Sequence, residues 1–384
     1  MAFEHYIRSG QKLLRCGYTT GTCAALAASG AVRLLLSGKA PSHVSLRTAK
    51  GIVVDVPLAG SGVTGNTAWC SVVKDAGDDA DVTNGMEIVA SVRRTDKPTI
   101  TIDGGDGVGR VTKPGLDQPV GMAAINRVPR EMIACAVQEI CEQLGYDGGI
   151  AVTISVPDGE TVAQQTFNPK IGIVGGISIL GTSGIVEPMS EKAIVDTIAV
   201  EQHQARLRSA DVIFTPGNYG QSFLQRSGLD SLGVPIVTVS NFVGESLDIA
   251  ASEQFQRVLL VGHIGKLVKL AGGIMNTHSK WADCRVELFC AYAALCGAPQ
   301  ELCRRIMDAV TTDACLAILE EAGLRKPVMQ YISDAVQHHL ERRAAGAYAI
   351  GAVLFSNEYG LLGCTEPAKE IIQQWNGNTS FFEE

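Results

Sequence analysis

The first half of the chain alternates apolar and polar positions in short runs, a pattern typical of half-buried β-strands. Five such runs, separated by Gly, Asp and Pro, occur at residues 44–48, 52–58, 67–73, 87–94 and 99–102. An alanine-rich helical segment at 22–36 precedes them, and a segment at 130–144 with apolar residues at helical spacing follows them. These patterns predict an α+β domain with an antiparallel sheet.

The pattern changes after residue 168, where short apolar runs begin to alternate with helical segments. The runs lie at 171–180, 212–215, 236–239 and 258–262, and the helical segments at 190–208, 222–228 and 245–254. Continuous apolar runs are typical of parallel strands that are covered by helices on both faces. We expect an α/β domain with a mainly parallel sheet, a mostly helical part from residue 283 and a late strand at 349–355. The predicted domains are 1–168 and 169–384.

Composition and charge narrow the possible functions. The 384 residues, 46% of them hydrophobic, are enough for two domains with their own cores. The net charge of -8 gives no general attraction to phosphate backbones, and no basic patch is evident, so we expect no nucleic-acid partner. No apolar run of membrane-spanning length is evident, and the polar start does not resemble a secretory leader. We therefore expect a cytoplasmic enzyme that acts on a small molecule and has no membrane partner.

The eleven cysteines show neither a CxxC pair nor a cysteine–histidine spacing of the zinc type. Their odd number and the expected cytoplasmic location favour reduced thiols over a disulfide framework. We therefore expect buried free thiols and no metal site in the protein.

Residues 17–23 place two glycines and three threonines directly before the first predicted helix. Backbone amides at a helix N-terminus, together with nearby hydroxyls, can bind an anion. Thr19, Thr20, Gly21 and Thr22 are therefore candidate substrate-binding residues. The alternative is that one threonine caps the helix while Gly21 makes the turn. A cap needs only one hydroxyl, so the three threonines favour a binding role.

Two further polar loops of the first half are candidates for substrate binding. Residues 74–81 contain four carboxylates without the spacing of a calcium loop, and Asp75 and Asp78 could hold a cationic group or a proton. A solvated turn would look the same. Residues 104–110 are rich in glycine but lack the GxGxxG spacing of dinucleotide-binding folds. Arg110 and Lys113 could hold carboxylates or phosphate there, and a flexible β-turn is the alternative.

The carboxyl ends of the predicted parallel strands are the candidate cofactor site, because ligands of open α/β sheets bind at that edge. Glycines inside the first of these runs also permit close approach of a ligand. His263, at the end of a later strand, can titrate near neutrality and is the candidate acid–base residue. Glu245 could bind ribose hydroxyls or only complement a helix dipole. The candidate cofactor-binding residues are Gly175, Gly176, Gly181, Thr182, Thr215, Gly217, Asn218, Asn241 and Glu245.

Five motifs follow one another in the chain: GYTTGTCAA from Gly17, KDAGDD from Lys74, GVGRVTKPG from Gly107, GIVGGISILG from Gly172 and MNTHS from Met275. Taken together they resemble the CbiD family of cobalt-precorrin-5B carbon-1 methyltransferases. The resemblance runs from residue 15 past residue 280. It departs from the family pattern at Ala80 and at residues 281–284.

The resemblance implies methyl transfer from S-adenosylmethionine to a cobalt-bearing, ring-contracted tetrapyrrole in anaerobic cobalamin biosynthesis. Cobalt would arrive as part of the substrate. Methyl transfer mainly requires that the donor and the acceptor carbon be held together, so large catalytic side chains are not needed. We expect the first domain to hold the carboxylate-rich tetrapyrrole and the strand ends of the second domain to hold the methyl donor.

Two other functions stay open. A nicotinamide-dependent oxidoreductase is suggested by the α/β second half, although the chain lacks GxGxxG. A non-enzymatic tetrapyrrole carrier would use the first domain alone. The sequence makes no prediction of the oligomeric state.

Overall fold

The chain folds into two compact units, Met1–Glu191 and Lys192–Glu384. The structure, a computed structural model, describes residues 3–9 and 11–376. The division falls after Glu191, so the predicted boundary near residue 168 is too early. The physical reason is that short strands within residues 173–186 hydrogen-bond to strands at 17–18 and 107–111 of the first unit.

The first unit combines helices with many short strands. Its helices are α1 (Thr20–Ser37), α2 (Arg127–Gln143), α3 (Gly159–Ala163) and α4 (Asn168–Ile171). Its strands are β1 (Tyr6–Ser9), β2 (Lys12–Arg15), β3 (Gly17–Tyr18), β4 (His43–Arg47), β5 (Val53–Pro57), β6 (Gly60–Thr64), β7 (Thr67–Val73), β8 (Glu87–Thr95), β9 (Ile100–Gly104), β10 (Gly107–Val108), β11 (Arg110–Val111), β12 (Gly149–Ser155), β13 (Ile173–Val174), β14 (Gly176–Ile177) and β15 (Ile185–Val186).

A five-stranded sheet in the order β6-β7-β8-β12-β9 lies at the centre of this unit. Its neighbours are antiparallel except for β12 and β9, which run parallel. Alternate residues of these strands, such as Ala90 in β8 and Val152 in β12, are buried in one core together with α1. The predicted α+β domain with its antiparallel pairs is confirmed, and β12 is a central strand that the pattern did not reveal.

Helix α1 is long and apolar enough to cross a membrane, so the expectation that no such run occurs is wrong. Of its apolar window, 72% is buried inside the protein. Leu26, Ala27 and Ala31 belong to the core of the first unit. A helix that is apolar on all sides is typically enclosed by protein, and this packing accounts for its composition.

The second unit alternates strands and helices before it ends in a helical part. Its strands are β16 (Asp211–Thr215), β17 (Ile236–Thr238), β18 (Arg257–His263), β19 (Ala349–Ser356) and β20 (Gly360–Cys364). Its helices are α5 (Glu191–Arg206), α6 (Asn218–Ser227), α7 (Val243–Ser252), α8 (Ile264–Leu267), α9 (Arg285–Leu295), α10 (Gln300–Met307), α11 (Thr312–Glu321), α12 (Arg325–Ala344) and α13 (Glu366–Asn376), with 3₁₀ helices at Leu229–Leu232 and Val268–Gly272.

The sheet of the second unit has the order β17-β16-β18-β19-β20. The first four strands are parallel, and β20 is antiparallel to β19. Successive residues of β16 enter different cores: Val212 and Phe214 belong to one, and Ile213 belongs to the other. Both faces of the sheet are therefore covered, and the predicted α/β architecture with its helical C-terminal part is confirmed.

The predicted strand at 171–180 is wrong, because it does not join this sheet. The positive φ angles of Gly172 (84°) and Gly175 (83°) turn the chain and leave only β13 and β14, which pair inside the first unit. These glycines fit the left-handed backbone without the steric penalty of a side chain.

All eleven cysteines are free thiols, as predicted. Cys135 is exposed, and five of the cysteines are buried: Cys16, Cys23, Cys70, Cys141 and Cys315. Burial raises the pKa of Cys23 to about 12, so this thiol is not ionised at neutral pH.

Candidate functional site

The parallel strands of the second unit end at one edge of the sheet, and the loops that leave them bring polar groups together. We call this edge, made of residues 215–219, 240–241 and 263–266, the carboxyl edge. It is formed by the ends of β16, β17 and β18, which are neighbours in the sheet. Ligands of open α/β sheets bind in this position because the loops there diverge around a crevice.

The loop after β16 turns directly into α6. Gly217 has φ 124° and ψ -170°, a conformation available essentially to glycine alone. The backbone amides of Asn218 and Tyr219 have no hydrogen-bond acceptor among residues 3–9 and 11–376. Both side chains are exposed. This loop therefore presents free donors at the start of a ten-residue helix.

Thr215 lies below this loop and not in the crevice. Its side chain is completely buried, and a Cβ added to Gly220 would lie 1.5 Å from its Oγ1. Thr215 therefore packs against the first turn of α6. This burial argues against direct contact with a ligand, which is the role predicted for it.

The loop after β17 is held by a segment that is distant in sequence. Asn241 accepts hydrogen bonds from Thr277, from the amide to its carbonyl (3.0 Å) and from Oγ1 to its Oδ1 (3.1 Å). Residues 275–277 of the MNTHS motif thus lie beside the carboxyl edge, a placement that the sequence did not indicate. Ser240 has φ 53°, a conformation that is unfavourable for a residue with a side chain and recurs at functional sites. Glu245 is half-buried in the first turn of α7.

His263 ends β18 and caps α8. Its Nδ1 accepts a hydrogen bond from the amide of Gly265 at 3.0 Å, so the ring proton is assigned to Nε2. Burial lowers the pKa of His263, and the nearby carboxylate of Asp313 opposes this shift. The ring lies between Tyr219 (centroids 5.8 Å apart) and Phe355 (5.6 Å). His263 is therefore neutral near pH 7 and offers Nε2–H as a donor, a different role from the base that was predicted.

Lys266 is a residue of this edge that the sequence analysis missed. Its Nζ donates to the carbonyls of Pro216 (2.6 Å) and Ser240 (3.5 Å), so it joins the loops after β16, β17 and β18. Burial lowers its pKa, and the neighbouring Lys269 adds to the effect. The available signal was its position, three residues beyond the strand end at His263 and directly after a glycine.

The candidates Thr19 and Thr22 in the first unit make internal contacts. Thr19 caps α1 by accepting the amide of Thr22 at 3.2 Å, and the Thr22 hydroxyl donates to the carbonyl of Gly184 at 2.7 Å. Gly181 and Thr182 lie in the same segment, and a Cβ on Gly181 would lie 2.2 Å from Thr19 Oγ1.

Thr20 and Gly21 also bond to the segment at 180–184, through Leu180. The amide of Leu180 donates to Thr20 Oγ1 at 2.8 Å, and the amide of Gly21 donates to the carbonyl of Leu180 at 2.9 Å. The premise that these hydroxyls and this amide are free is therefore wrong. They attach residues 180–184 to the N-terminus of α1, which is the structural alternative.

The acidic loop at 74–81 binds cations of the protein itself. Asp75 forms a bidentate ion pair with Arg15 (2.6 and 2.8 Å), and Asp78 accepts the Arg15 amide at 2.7 Å. Arg15 holds the pKa of the Asp75 carboxyl below its usual value. Lys74, which is only 2% exposed, pairs with Asp81. Structural partners therefore account for the carboxylates that were predicted to bind a ligand.

The glycine-rich loop at 104–110 is also largely structural. Arg110 pairs with Asp103 at 2.7 Å and donates to the carbonyl of Gly104, yet 43% of its side chain is exposed. Lys113 is exposed and donates to the carbonyl of Lys170 at 3.2 Å. The side chains of Arg110 and Lys113 are thus both at least partly exposed at the surface of the first unit.

Four predicted cofactor-binding residues lie outside the carboxyl edge. Gly175, Gly176, Gly181 and Thr182 belong to the first unit, because the run at 171–180 is not a strand of the parallel sheet. A Cβ on Gly176 would lie 2.2 Å from the carbonyl oxygen of Gly107, so this glycine permits a close backbone crossing. The structure brings together Gly217, Asn218, Asn241 and His263, with Lys266 among them.

Comparisons with known proteins agree along nearly the whole chain. The CbiD family model matches residues 7–188, and the model of the CbiD C-terminal domain matches residues 276–366. Three relatives carry the name cobalt-precorrin-5B C(1)-methyltransferase. The protein of Ruminiclostridium cellulolyticum is 48% identical over 92% of this chain and 92% of its own length. Those of Alkaliphilus metalliredigens and Listeria monocytogenes are 41% and 40% identical, over 96% and 97% of this chain and 97% and 100% of their own.

Among solved structures, the crystal structure of the cobalamin biosynthesis protein CbiD from Archaeoglobus fulgidus is 30% identical, with a TM-score of 0.39. The match covers 70% of this chain and 83% of that chain. The identities to the curated relatives, spread over both units, decide the assignment: this chain belongs to the CbiD family.

Proposed function

We propose that this chain methylates carbon 1 of cobalt-precorrin-5B, giving cobalt-precorrin-6A in anaerobic cobalamin biosynthesis. The observation that carries the proposal is the identity of 48% to a cobalt-precorrin-5B C(1)-methyltransferase over 92% of both chains. Two further relatives with the same name match over 96% and 97% of this chain.

The proposed methyl donor is S-adenosylmethionine, bound at the carboxyl edge of the second unit. The geometry supports this placement because the edge combines the glycine turn at Gly217, the free amides at the start of α6 and the strained residue Ser240. In the reaction, the nucleophilic ring carbon displaces the thioether from the methyl group, and the positively charged sulfonium becomes neutral. The protein contributes chiefly by holding carbon and methyl in line at about 3–3.5 Å.

The proposed role of His263 is to donate its Nε2 proton to a polar group of the bound substrate. The amide of Gly265 occupies Nδ1, which fixes the donor tautomer. The half-buried ring between Tyr219 and Phe355 is held in place by packing. A donor of this kind positions a reactant without taking up a proton.

The tetrapyrrole is proposed to contact the first unit through basic residues at its surface. Lys113 is exposed and bonds only the carbonyl of Lys170 within the described part of the chain. Arg110 is 43% exposed although it forms a bidentate ion pair with Asp103. The proposal no longer includes Thr19–Thr22 or the acidic loop, since their polar groups are occupied. Cobalt enters as part of the substrate. Among residues 3–9 and 11–376, no group of three or more His, Cys, Asp or Glu side chains is arranged to hold a metal ion.

The proposal is tested by incubating the protein with cobalt-precorrin-5B and S-adenosylmethionine and measuring S-adenosylhomocysteine. We expect product that depends on both compounds and is unaffected by nicotinamide cofactors. Oxidation or reduction of a nicotinamide would instead support an oxidoreductase. Tetrapyrrole binding without S-adenosylhomocysteine would support a carrier.

A further inference from the structure

Two lysine ammonium groups lie near enough beside the carboxyl edge for their charges to interact, and neither forms an ion pair with a carboxylate of residues 3–9 or 11–376. Lys266 donates to the carbonyls of Pro216 and Ser240, and Lys269 donates to those of Thr277 (3.1 Å) and Ala282 (2.8 Å). No ion pair to either lysine occurs within the described part of the chain. Lys269 is buried and acts on the carboxylate of Asp283, which is itself paired with Arg285. Lys266 has no such carboxylate beside it among the described residues, so the positive charge around Lys266 is uncompensated.

The two lysines differ in what they can offer to a ligand. Lys269 is only 3% exposed and holds residues 277–282 in place. Lys266 is half-exposed, with one short bond to Pro216 and one longer bond of 3.5 Å to Ser240. An ammonium group has three donors, so Lys266 retains at least one for a bound molecule.

A second set of donors lies beside Lys266. Its Nζ contacts the carbonyl of Pro216, two residues before α6, and a Cβ added to Gly217 would lie 3.9 Å from it. The next two residues, Asn218 and Tyr219, carry the free amides of α6. The partial positive charge of the helix N-terminus therefore adds to the charge of the lysine.

We propose that Lys266 and the first amides of α6 bind the carboxylate of the methyl donor's amino-acid part. The inference rests on the proposed function, in which S-adenosylmethionine binds at this edge. One oxygen of the carboxylate accepts from the ammonium and the other from the α6 amides. The ammonium is already held by backbone carbonyls, so little side-chain entropy is lost on binding.

The donor carboxylate fits this position better than a carboxylate of the tetrapyrrole because of how many carboxylates each molecule carries. The amino-acid part of the donor has only one carboxylate, at the end remote from the adenosine, and a single compact anion site suffices for it. A tetrapyrrole carries acetate and propionate groups around its whole ring, and one recessed lysine cannot serve them together. Both sources share the same chemistry, and the experiment separates them.

The test compares two adenosine compounds by calorimetry with the full-length protein. S-adenosylhomocysteine carries the amino-acid carboxylate, whereas 5′-methylthioadenosine lacks the amino-acid part. Substitution of Lys266→Met should weaken S-adenosylhomocysteine binding by about 10- to 100-fold, as expected for a lost charge-assisted hydrogen bond. The affinity for 5′-methylthioadenosine should not change. Lys326→Met, which changes an exposed lysine of α12, is the matched control.

A third variant, Lys266→Arg, keeps the charge and should restore part of the lost affinity. Thermal unfolding of each variant shows whether the fold is intact. The inference would be overturned if folded Lys266→Met lost affinity equally for both compounds, or lost affinity for neither. Either result would leave the methyltransferase proposal standing. A raised KM for the tetrapyrrole with unchanged S-adenosylhomocysteine affinity would assign Lys266 to the substrate and overturn the inference too. Wild-type protein that binds neither compound would overturn both the inference and the proposed donor.

Discussion

The environment of His263 decides what this side chain can do in the reaction. We predict that His263→Ala lowers kcat by at least about 10-fold, because a positioned donor is lost, while the affinity for S-adenosylhomocysteine is unchanged. His263→Gln should retain more activity, since its side-chain amide can donate from a similar position. Steady-state kinetics and calorimetry measure the two quantities. Wild-type turnover in His263→Ala would remove His263 from the mechanism.

The lowered pKa of His263 predicts a pH dependence of stability with a definite sign. Burial lowers the pKa of this ring below its ordinary 6.5, so the unfolded chain takes up the proton at a higher pH than the folded protein does. The free energy of unfolding should therefore decrease as the pH falls below 6.5. Chemical denaturation at several pH values would measure this slope. In His263→Gln the slope should be shallower, and an equal slope would contradict the assignment.

The ion pair between Asp75 and Arg15 predicts a structural role for the acidic loop. Asp75→Asn should lower the free energy of unfolding by about 1.5–3 kcal/mol, because a bidentate, partly buried charge pair is lost. The KM for the tetrapyrrole should not change. Asp96→Asn, at an exposed position of the same unit, is the control. A raised KM without loss of stability would restore the ligand role for Asp75.

Sequence patterns identified polar residues but not their partners. The four threonine and glycine candidates at 19–22 were correctly placed at the start of α1. Apart from the cap between Thr19 and Thr22, their partners lie about 160 residues away, at 178–184. The partner of Asp75 is 60 residues distant. Lys266 was missed because its significance is that no carboxylate of residues 3–9 or 11–376 pairs with it, and only the fold reveals which charges are paired.

The backbones of the paired strands β10 and β14 approach each other closely at Gly176. This close approach predicts different stability costs for substitution of Gly176 and of the adjacent Gly175. A Cβ on Gly176 would lie 2.2 Å from the carbonyl oxygen of Gly107, whereas a Cβ on Gly175 would meet nothing within 4 Å. Gly176→Ala should therefore cost about 3 kcal/mol of stability, because the backbone of one strand must shift. Gly175→Ala should cost about 1 kcal/mol through its positive φ alone. Denaturant unfolding measures the free energy of unfolding of both variants, and equal costs would contradict the close backbone approach at Gly176.

At the scale of elements, local periodicity predicted most helices and the parallel strands. The segments at 22–36 and 130–144 became α1 and α2, and the runs at 212–215, 236–239 and 258–262 became β16, β17 and β18. The run at 171–180 failed, because its glycines turn the chain and its pairing partners lie in the first unit. A buried apolar run looks the same whichever sheet it joins.

At the scale of the whole molecule, the protein and the proposed tetrapyrrole substrate have charges of the same sign. The chain carries a net charge of -8, and the tetrapyrrole carries several carboxylates. Long-range attraction therefore cannot drive binding of the tetrapyrrole, and local cations must hold each carboxylate, including that of the methyl donor. Several cations are neutralised by neighbouring carboxylates, as Arg15 is by Asp75, whereas Lys266 bonds only to backbone carbonyls within the described part of the chain. The net charge was readable from the sequence, but the location of unpaired charge was not.

The central claim is that this chain transfers a methyl group to carbon 1 of cobalt-precorrin-5B. The most direct measurement supplies S-adenosylmethionine with a ¹³C-labelled methyl group and locates the label in the product by NMR. We predict that one labelled methyl appears on carbon 1 for each S-adenosylhomocysteine formed. A product without the label, or with the label on another ring carbon, would contradict the claim.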